Sequence, residues 1–275
     1  MDISESIKKE ALRRGYSLKT IKTYQKCVEK FLNDRKKGLS KISKADVKEF
    51  LDKLIEKGRA GNTINVYLNS LKFLLEEILN KKMKLNIKYS KKPVKLPIVL
   101  TREELIRLFN VIKNEKHKLM IELIYSAGLR VSELLNLKVK DLELEKNYSF
   151  VRQGKGNKDR IFIIAEKLKQ RIKDLIKKEN LGFEDNVFLS NRKYKYNARS
   201  IQEIVKKAAK RAKINKKISP HTLRHSFATH LIENGYSISE VQALLGHKSP
   251  ETTFIYVHTA SPNMIKVKSP LDDLI

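Results

Sequence analysis

Two basic side chains in the C-terminal part of the sequence are spaced so that they could bind a phosphate group. His221 and Arg224 are three residues apart and directly follow Ser219 and Pro220. Serine is favoured as a helix N-cap and proline as the first helical residue, so a helix is predicted to begin here with both basic side chains on one face. The backbone amides of a helix N-terminus favour an anion, and a phosphate suits this position.

A second histidine and a tyrosine follow this pair. Gly246 ends the next predicted helix and leaves His247 on a loop. Tyr256 lies on a helix that Ser249 and Pro250 are expected to begin. A tyrosine hydroxyl becomes a nucleophile when nearby groups favour its phenolate. Considered singly, however, such a histidine is more often a packing or surface residue, and such a tyrosine is more often part of a core.

Two further basic residues belong to turns earlier in the chain. Arg130 follows Gly128, which ends a predicted helix. Lys155 lies in the polar turn GKGNKD between two β-prone segments, 148–153 and 160–164. This pattern predicts a β-hairpin with a lysine at its tip. Each residue alone would be assigned as an ordinary surface charge.

The elements that would position these residues fall into two predicted domains. Residues 1–87 contain apolar residues at spacings of three and four, which is typical of buried helical faces and predicts a compact bundle of about four helices. The stripe residues include Ile7, Ala11, Leu12, Ile21, Tyr24, Val28, Phe31, Val47, Phe50, Leu51, Leu54, Ile64, Leu68 and Leu71. Residues 88–98 are rich in lysine and contain two prolines, which predicts a basic linker that either follows a phosphate backbone or is simply solvated.

Residues 99–275 form the second predicted domain. Its helix starts are indicated by capping boxes, T-x-x-E at Thr101 and S-x-x-E at Ser237, and the first domain has a similar N-cap at Ser43. Together with the hairpin, these signals predict a fold that is mainly α with a small β-sheet: a helical N-terminal domain followed by an α+β domain.

The charge of the chain indicates a polyanionic partner. The 275 residues include 59 Lys plus Arg and 31 Asp plus Glu, a formal net charge of +28. Residues 1–98 carry 25 basic and 11 acidic side chains, and residues 99–275 carry 34 and 20, so each part has a net charge of +14. A generally lysine-rich, solvated surface is the alternative explanation, but an excess in both parts is expected if both contact the same nucleic acid.

Several classes of protein are disfavoured by composition. Cys27 is the only cysteine, so an intrachain disulfide is impossible, and its place in a helical pattern predicts a small core residue. A hydrophobic fraction of 41% is enough for cores. The N-terminus lacks the apolar segment of a signal peptide, and no apolar run is long enough for a membrane span. A soluble, cytoplasmic protein without membrane contact is therefore expected.

The combination of motifs resembles the tyrosine recombinases, and most closely the simple Xer-type enzymes, including archaeal ones. The matching segments are GLRVSEL (128–134), GKGNKDR (154–160), HTLRH (221–225), LLGHKS (244–249) and Tyr256. All six positions of the family's active-site pattern are present, in order and at spacings near those of the family. The resemblance covers the whole second domain, and the first domain looks like the family's SAM-like core-binding domain.

The resemblance implies a role for each basic residue around the phosphate. Arg130 and Arg224 would bind the non-bridging oxygens, and His247 would add a further hydrogen bond. Glu133 matches an acidic position of the family and is interpreted as a structural partner of the active-site basic groups.

The resemblance also implies how protons move. Tyr256 would be the nucleophile, His221 would assist its deprotonation, and Lys155 would protonate the 5′-oxygen leaving group. The product would be a 3′-phosphotyrosine, and religation would need neither ATP nor metal, so no cofactor is expected. His225, His230 and His258 invite a metal-site interpretation, but no carboxylate cluster accompanies them.

The resemblance further implies double-stranded DNA with a short inverted-repeat site as the partner. The apolar C-terminal tail, 269–275, would dock into a neighbouring protomer and give a homo-tetramer on DNA, unless it is a frayed terminus. Resolution of chromosome dimers is the expected role, with integration of a mobile element as the alternative. Two other interpretations are a non-catalytic helix-turn-helix protein built on residues 237–258, and a monomeric type IB topoisomerase.

Overall fold

The computed structural model describes residues 2–35, 38–81, 87, 96–146, 148–152 and 159–246. Three of the predicted site residues, Lys155, His247 and Tyr256, lie outside the described residues. The predicted helix at Ser249 also lies outside them, as do the hairpin tip, most of the linker and the C-terminal tail. The chain divides into two compact units, Met1–Val94 and Lys95–Ile275.

The first unit is a bundle of helices, as the apolar spacing predicts. Its helices are α1 (Ile3–Arg13), α2 (Leu18–Arg35), α3 (Lys44–Glu56) and α4 (Gly61–Lys72), and α4 continues into a π-helical turn at Phe73–Ile78. Ser43 caps α3 because its hydroxyl accepts a hydrogen bond from the backbone amide of Asp46, whose carboxylate accepts one in return from the Ser43 amide.

The core of this unit contains most of the predicted stripe residues. Those that are almost completely buried include Ile7, Ala11, Ile21, Val28, Phe31, Val47, Phe50, Leu51, Leu54, Leu68 and Leu71. Cys27 is also buried, as predicted. The prediction that Leu12 belongs to the buried stripe is wrong, since Leu12 is 48% exposed. The buried side of α1 runs through Ile7 and Ala11, four residues apart, and Leu12 is rotated by about 100° from Ala11.

The described part of the second unit contains seven α-helices, a short 3₁₀ helix at Val139–Asp141 and one pair of antiparallel strands. The helices are α5 (Arg102–Asn110), α6 (Glu115–Ser126), α7 (Val131–Asn136), α8 (Glu166–Glu179), α9 (Ala198–Arg211), α10 (Pro220–Glu233) and α11 (Ile238–Leu245). Strands β1 (Tyr148–Val151) and β2 (Arg160–Ile163) pair antiparallel, with Tyr148 opposite Ile163 and Val151 opposite Arg160. The predicted fold class, mainly α with a small sheet, is confirmed.

Two apolar clusters position the helices of this unit. The larger one has Met120, Leu123, Phe162, Ile172, Phe188, Ile201 and Leu223 among its members. The smaller one joins α10 to α11 through Phe227, Ala228, Ile232, Val241 and Leu245. Burial of these apolar side chains stabilises the packing of α10 against α11. Within the described ranges, none of the helices is both long enough and apolar enough to cross a membrane.

Candidate active site

The N-terminus of α10 carries two of the predicted site residues. Ser219 caps the helix through a hydrogen bond from the Thr222 amide, and Pro220 is the first helical residue, as the sequence predicts. His221 is exposed on the first turn, whereas Arg224 is only 4% exposed. The helix start therefore presents an imidazole to solvent and holds an arginine beneath the surface.

Arg224 is held by the protein backbone. Its Nη1 donates a hydrogen bond to the carbonyl oxygen of Gly128, and its Nη2 donates one to the carbonyl oxygen of Leu245 at 2.5 Å. Nη1 also lies 3.8 Å from a carboxylate oxygen of Glu133. Arg224 thus connects three places: the turn before α7, the first turn of α7 and the end of α11.

Arg130 lies at the N-cap of α7, directly after the Gly128 turn. Its backbone amide donates a hydrogen bond to Glu133 Oε2 at 2.8 Å, and its Nη1 donates one to Oε1 at 2.6 Å. Its Nη2 is 3.5 Å from the carbonyl oxygen of Gly246, the residue before His247. The side chain is 21% exposed, so part of the guanidinium remains accessible to a ligand.

Arg160 is a third arginine at this site, and it is not among the six predicted active-site residues. It begins β2, and its Nη2 donates a hydrogen bond to Glu133 Oε2 at 2.7 Å. Its Nη1 donates one to the carbonyl oxygen of Leu244. The available signal was its place at the end of the GKGNKDR segment, where the returning strand of the hairpin begins.

Arg130, Arg160 and Arg224 together with Glu133 form what we call the arginine cluster. Desolvation would raise the pKa of the Glu133 carboxyl, but the charge and hydrogen bond of Arg160, followed by the backbone and side-chain hydrogen bonds of Arg130, lower it overall. Glu133 is therefore ionised, and the interpretation of it as a structural partner of basic groups is confirmed. Three guanidinium groups around one carboxylate leave two positive charges in excess.

His221 adds an imidazole to the exposed side of the cluster. Desolvation lowers its pKa, and the charges of Arg224 and Arg130 lower it further. The imidazole is therefore neutral at pH 7 and able to accept a proton. The pKa of the adjacent His225 is lowered to about 4, first by burial and then by His221 and Arg224.

Two glycines allow the backbone to pass close to the cluster. Gly128 and Gly246 have φ values of +57° and +62°, in the left-handed region that favours glycine. A Cβ at Gly128 would lie 2.5 Å from the ring of Phe227, and one at Gly246 would lie 2.7 Å from Arg160 Cδ. Both positions therefore exclude any side chain without local rearrangement.

The arrangement brings together three of the six predicted site residues, Arg130, His221 and Arg224, and it suits binding of a phosphodiester. In the part of the chain that the structure describes, no group of three His, Cys, Asp or Glu side chains could hold a metal ion. His230, one of the histidines considered for a metal site, is buried and instead shares a hydrogen bond of 2.9 Å with the Tyr125 hydroxyl.

Models of two families match the chain. The phage integrase family matches residues 99–262, and the N-terminal SAM-like domain of phage integrases matches residues 3–85. The chain is 37% identical to the tyrosine recombinase XerA of Pyrococcus horikoshii, over 96% of this chain and 91% of that protein. It is 36% identical to the tyrosine recombinase XerD of Oceanobacillus iheyensis, over 92% of each.

Two solved recombinase structures are also similar to this chain. A XerA recombinase matches with a TM-score of 0.57 and 28% identity, over 98% of this chain and 99% of that chain. The site-specific recombinase XerH, bound to a palindromic difH substrate in a post-cleavage complex, matches with a TM-score of 0.74 and 26% identity, over 95% of this chain and 82% of that chain.

Proposed function

This chain belongs to the phage integrase family of tyrosine recombinases, and on that basis we propose that it is a site-specific recombinase of the Xer type whose nucleophile is Tyr256. The observation that carries this proposal is the arginine cluster beside His221. A non-catalytic helix-turn-helix protein would explain the basic charge but gives no reason to gather three arginines around one buried carboxylate.

The arginines are proposed to stabilise the transition state. Strand transfer passes through a pentacoordinate phosphorus whose non-bridging oxygens carry negative charge. Arg130 and Arg224 suit these oxygens because a planar guanidinium can donate two parallel hydrogen bonds to a phosphate. Glu133 holds Arg130, and two backbone carbonyls hold Arg224, so both side chains are ordered before DNA binds.

The remaining residues are proposed to move protons. The Tyr256 oxygen attacks phosphorus, a phosphotyrosine bond forms on the 3′ side, and the bond to the 5′-oxygen breaks. His221 accepts the tyrosine proton, for which its neutral imidazole is suited. Lys155 gives a proton to the departing 5′-oxygen, and His247 donates a hydrogen bond to a non-bridging oxygen. Attack by a 5′-hydroxyl on the phosphotyrosine reverses these steps and reseals a strand.

We propose that neither ATP nor a metal ion takes part. One phosphodiester is exchanged for another, so the energy of the broken bond is kept in the phosphotyrosine until religation. The positive charge that a metal ion would supply is available from the arginine cluster.

The biological role is proposed from the Xer relatives. We infer that the chain acts in the cytoplasm, on a short inverted repeat in double-stranded DNA, and resolves chromosome dimers during chromosome partition and cell division. The C-terminal tail, which contains the apolar residues Leu271, Leu274 and Ile275, would pass to a neighbouring protomer. Repeated head-to-tail exchange would close a ring of four subunits on two duplexes.

The decisive experiment is a test for covalent adduct formation. Wild-type and Tyr256→Phe proteins are incubated in EDTA with a nicked duplex that both bind, and the mixtures are separated by denaturing electrophoresis. An adduct from the wild type alone is expected. An adduct from both proteins would show that another residue is the nucleophile, and no adduct from either on a demonstrated binding site would favour a non-catalytic DNA-binding protein.

A further inference from the structure

Arg160 is a member of the arginine cluster to which the proposed mechanism gives no task. We propose that Arg160 is a positioning residue for strand transfer, which holds Glu133 and thereby keeps Arg224 available to the substrate phosphate. This inference rests on the proposed function and extends it to a residue that does not itself contact the reacting atoms.

The contacts of Arg160 join its own strand to two other segments, the start of α7 and the end of α11. From the start of β2 its guanidinium reaches Glu133 in α7 at 2.7 Å, the carbonyl oxygen of Leu244 near the end of α11, and the carbonyl oxygen of Gly128 at 3.5 Å. Glu133 and Gly128 lie five residues apart, whereas α7, β2 and α11 are far apart in the sequence, and each contact adjoins a proposed catalytic residue. Glu133 binds Arg130, Gly128 binds Arg224, and α11 ends just before His247.

Arg160 and Arg224 compete for the same carboxylate oxygen. Glu133 Oε1 accepts a hydrogen bond from Arg130, whereas Oε2 lies 2.7 Å from Arg160 and 3.8 Å from Arg224. If Arg160 were removed, Oε2 would keep only the hydrogen bond from the Arg130 backbone amide, and its unpaired charge would attract the Arg224 guanidinium across that short gap. Arg224 would then give up its orientation to neutralise Glu133, and less of its positive charge would be directed at a bound phosphate.

The burial of Arg160 supports a positioning role rather than contact with DNA. Its side chain is 8% exposed, and its Nε is buried with no hydrogen-bond partner among the described residues. A buried guanidinium with an unsatisfied nitrogen is costly unless a carboxylate compensates it. The stem is also closely packed, because a Cβ at Gly246 would lie 2.7 Å from Arg160 Cδ.

The test compares Arg160→Met and Arg160→Lys with the wild type in single-turnover cleavage at saturating DNA. Arg160→Met should slow cleavage of an ordinary phosphodiester by about 100-fold, which is the scale for losing one preorganised charge-stabilising group. Arg160→Lys keeps the charge but cannot reach three acceptors at once, so it should slow cleavage by about 10-fold. DNA affinity should change by less than about 3-fold, because a buried side chain does not contact the phosphate backbone of the DNA.

A second substrate distinguishes positioning from general damage to the fold. In a methylphosphonate a neutral methyl group replaces one charged oxygen, so orienting Arg224 toward negative charge matters less. The cleavage defect of both variants, relative to the wild type on the same substrate, should fall to within about 3-fold. Arg152→Met is the matched control, because Arg152 is on the same hairpin and pairs with Asp141 but is 54% exposed. It should cleave both substrates at nearly the wild-type rate.

The outcomes separate this inference from the proposed function. If the wild type cleaves but Arg160→Lys cleaves equally fast, or if its defect is the same on both substrates, the positioning role is wrong and the proposed function stands. If the wild type forms no adduct on DNA that it binds, both are wrong. Arg160→Lys retains charge and most of the side-chain volume, so it decides the question even if Arg160→Met does not fold.

Discussion

Arg224 Nη2 lies 2.5 Å from the carbonyl oxygen of Leu245, so a side chain of α10 binds the last residue of α11 through its main chain. Leu245 is completely buried, and the next residue, Gly246, turns the chain out of the helix with a positive φ. The bond therefore fixes the point at which the chain leaves α11 toward His247. It also consumes one of the five donors of a guanidinium that is proposed to bind DNA phosphate.

Arg224→Lys should lose most of the cleavage activity. An ammonium group keeps the charge but cannot bind the carbonyl oxygens of Gly128 and Leu245 together and still face a phosphate. We expect the single-turnover rate of adduct formation to fall by about 100-fold or more. DNA affinity, measured by fluorescence anisotropy at fixed salt, should change much less. If affinity and cleavage rate fell by the same factor, Arg224 would contribute to binding of uncleaved DNA and not specifically to the transition state.

Glu133→Gln should destabilise the second unit. Removing one partner from a buried ion pair leaves uncompensated charge, which costs about 3–5 kcal/mol. The free energy of unfolding, measured in urea at pH 7, should fall by this amount. The matched control is Glu184→Gln, because Glu184 binds two lysines but is 63% exposed. Exposed ion pairs contribute little, so the unfolding curve of this variant should stay close to that of the wild type.

The effect of Glu133→Gln should also depend on pH. The pKa of Glu133 is lowered in the folded state, so the unfolded carboxyl binds a proton more readily than the folded one. Its stabilising contribution is present above the unfolded pKa and is lost as the pH falls through the folded pKa. The difference in stability between wild type and variant should therefore be largest near neutrality and shrink in acid. A constant difference would contradict the ionised state of Glu133.

His225 should make the fold sensitive to mild acid. Its pKa is lowered to about 4 in the folded state, first by burial and then by the charges of His221 and Arg224. In the unfolded chain the pKa is about 6.5. Between about pH 6.5 and pH 4 only the unfolded chain binds the proton, so the free energy of unfolding decreases as the pH falls. We expect a loss of up to about 2 kcal/mol between pH 7 and pH 5 in urea unfolding. His225→Gln should show a smaller loss, and identical losses would assign the sensitivity to other groups.

Gly128→Ala should destabilise the second unit more than Gly235→Ala does. Both glycines have positive φ, +57° and +92°, so each alanine carries backbone strain. Only at Gly128 does the added methyl group also meet a buried ring, that of Phe227 at 2.5 Å, whereas nothing lies within 4 Å at Gly235. The extra cost from overpacking should be about 1–3 kcal/mol, measured as the difference between the two variants in urea unfolding. Equal destabilisation would mean that the ring moves aside freely.

The features that the sequence predicts well are local. Ser43, Thr101, Ser219 and Ser237 all cap helices as predicted, because a cap depends on residues within one turn of each other. The hairpin strands and the glycine stop at Gly246 are confirmed for the same reason. The six active-site residues were assigned from their resemblance to a family pattern, and the structure brings three of them into proximity.

The features that the sequence does not predict depend on contacts between distant residues. Arg160 and Leu244 are separated by 84 positions, and Arg224 and Gly128 by 96. No pattern of residue types indicates that a backbone carbonyl will be an acceptor for a distant arginine, since every residue has a carbonyl. The prediction for Leu12 is wrong because apolar spacing alone does not determine which of two adjacent apolar residues, Ala11 or Leu12, faces the other helices.

The backbone acceptors of the arginine cluster have a consequence for how this site can vary among descendants of a common ancestor. Arg160 and Arg224 bind the main chain of Gly128, Leu244 and Leu245, and a substitution at either leucine leaves the acceptor oxygen in place. Such a substitution is constrained only by the packing of the new side chain. A substitution at either arginine or at Glu133, in contrast, removes the charged group that makes the contact. We therefore expect positions 244 and 245 to vary between apolar residues, and Arg160, Arg224 and Glu133 to stay constant, while Gly128 is fixed by its own positive φ and its close approach to Phe227.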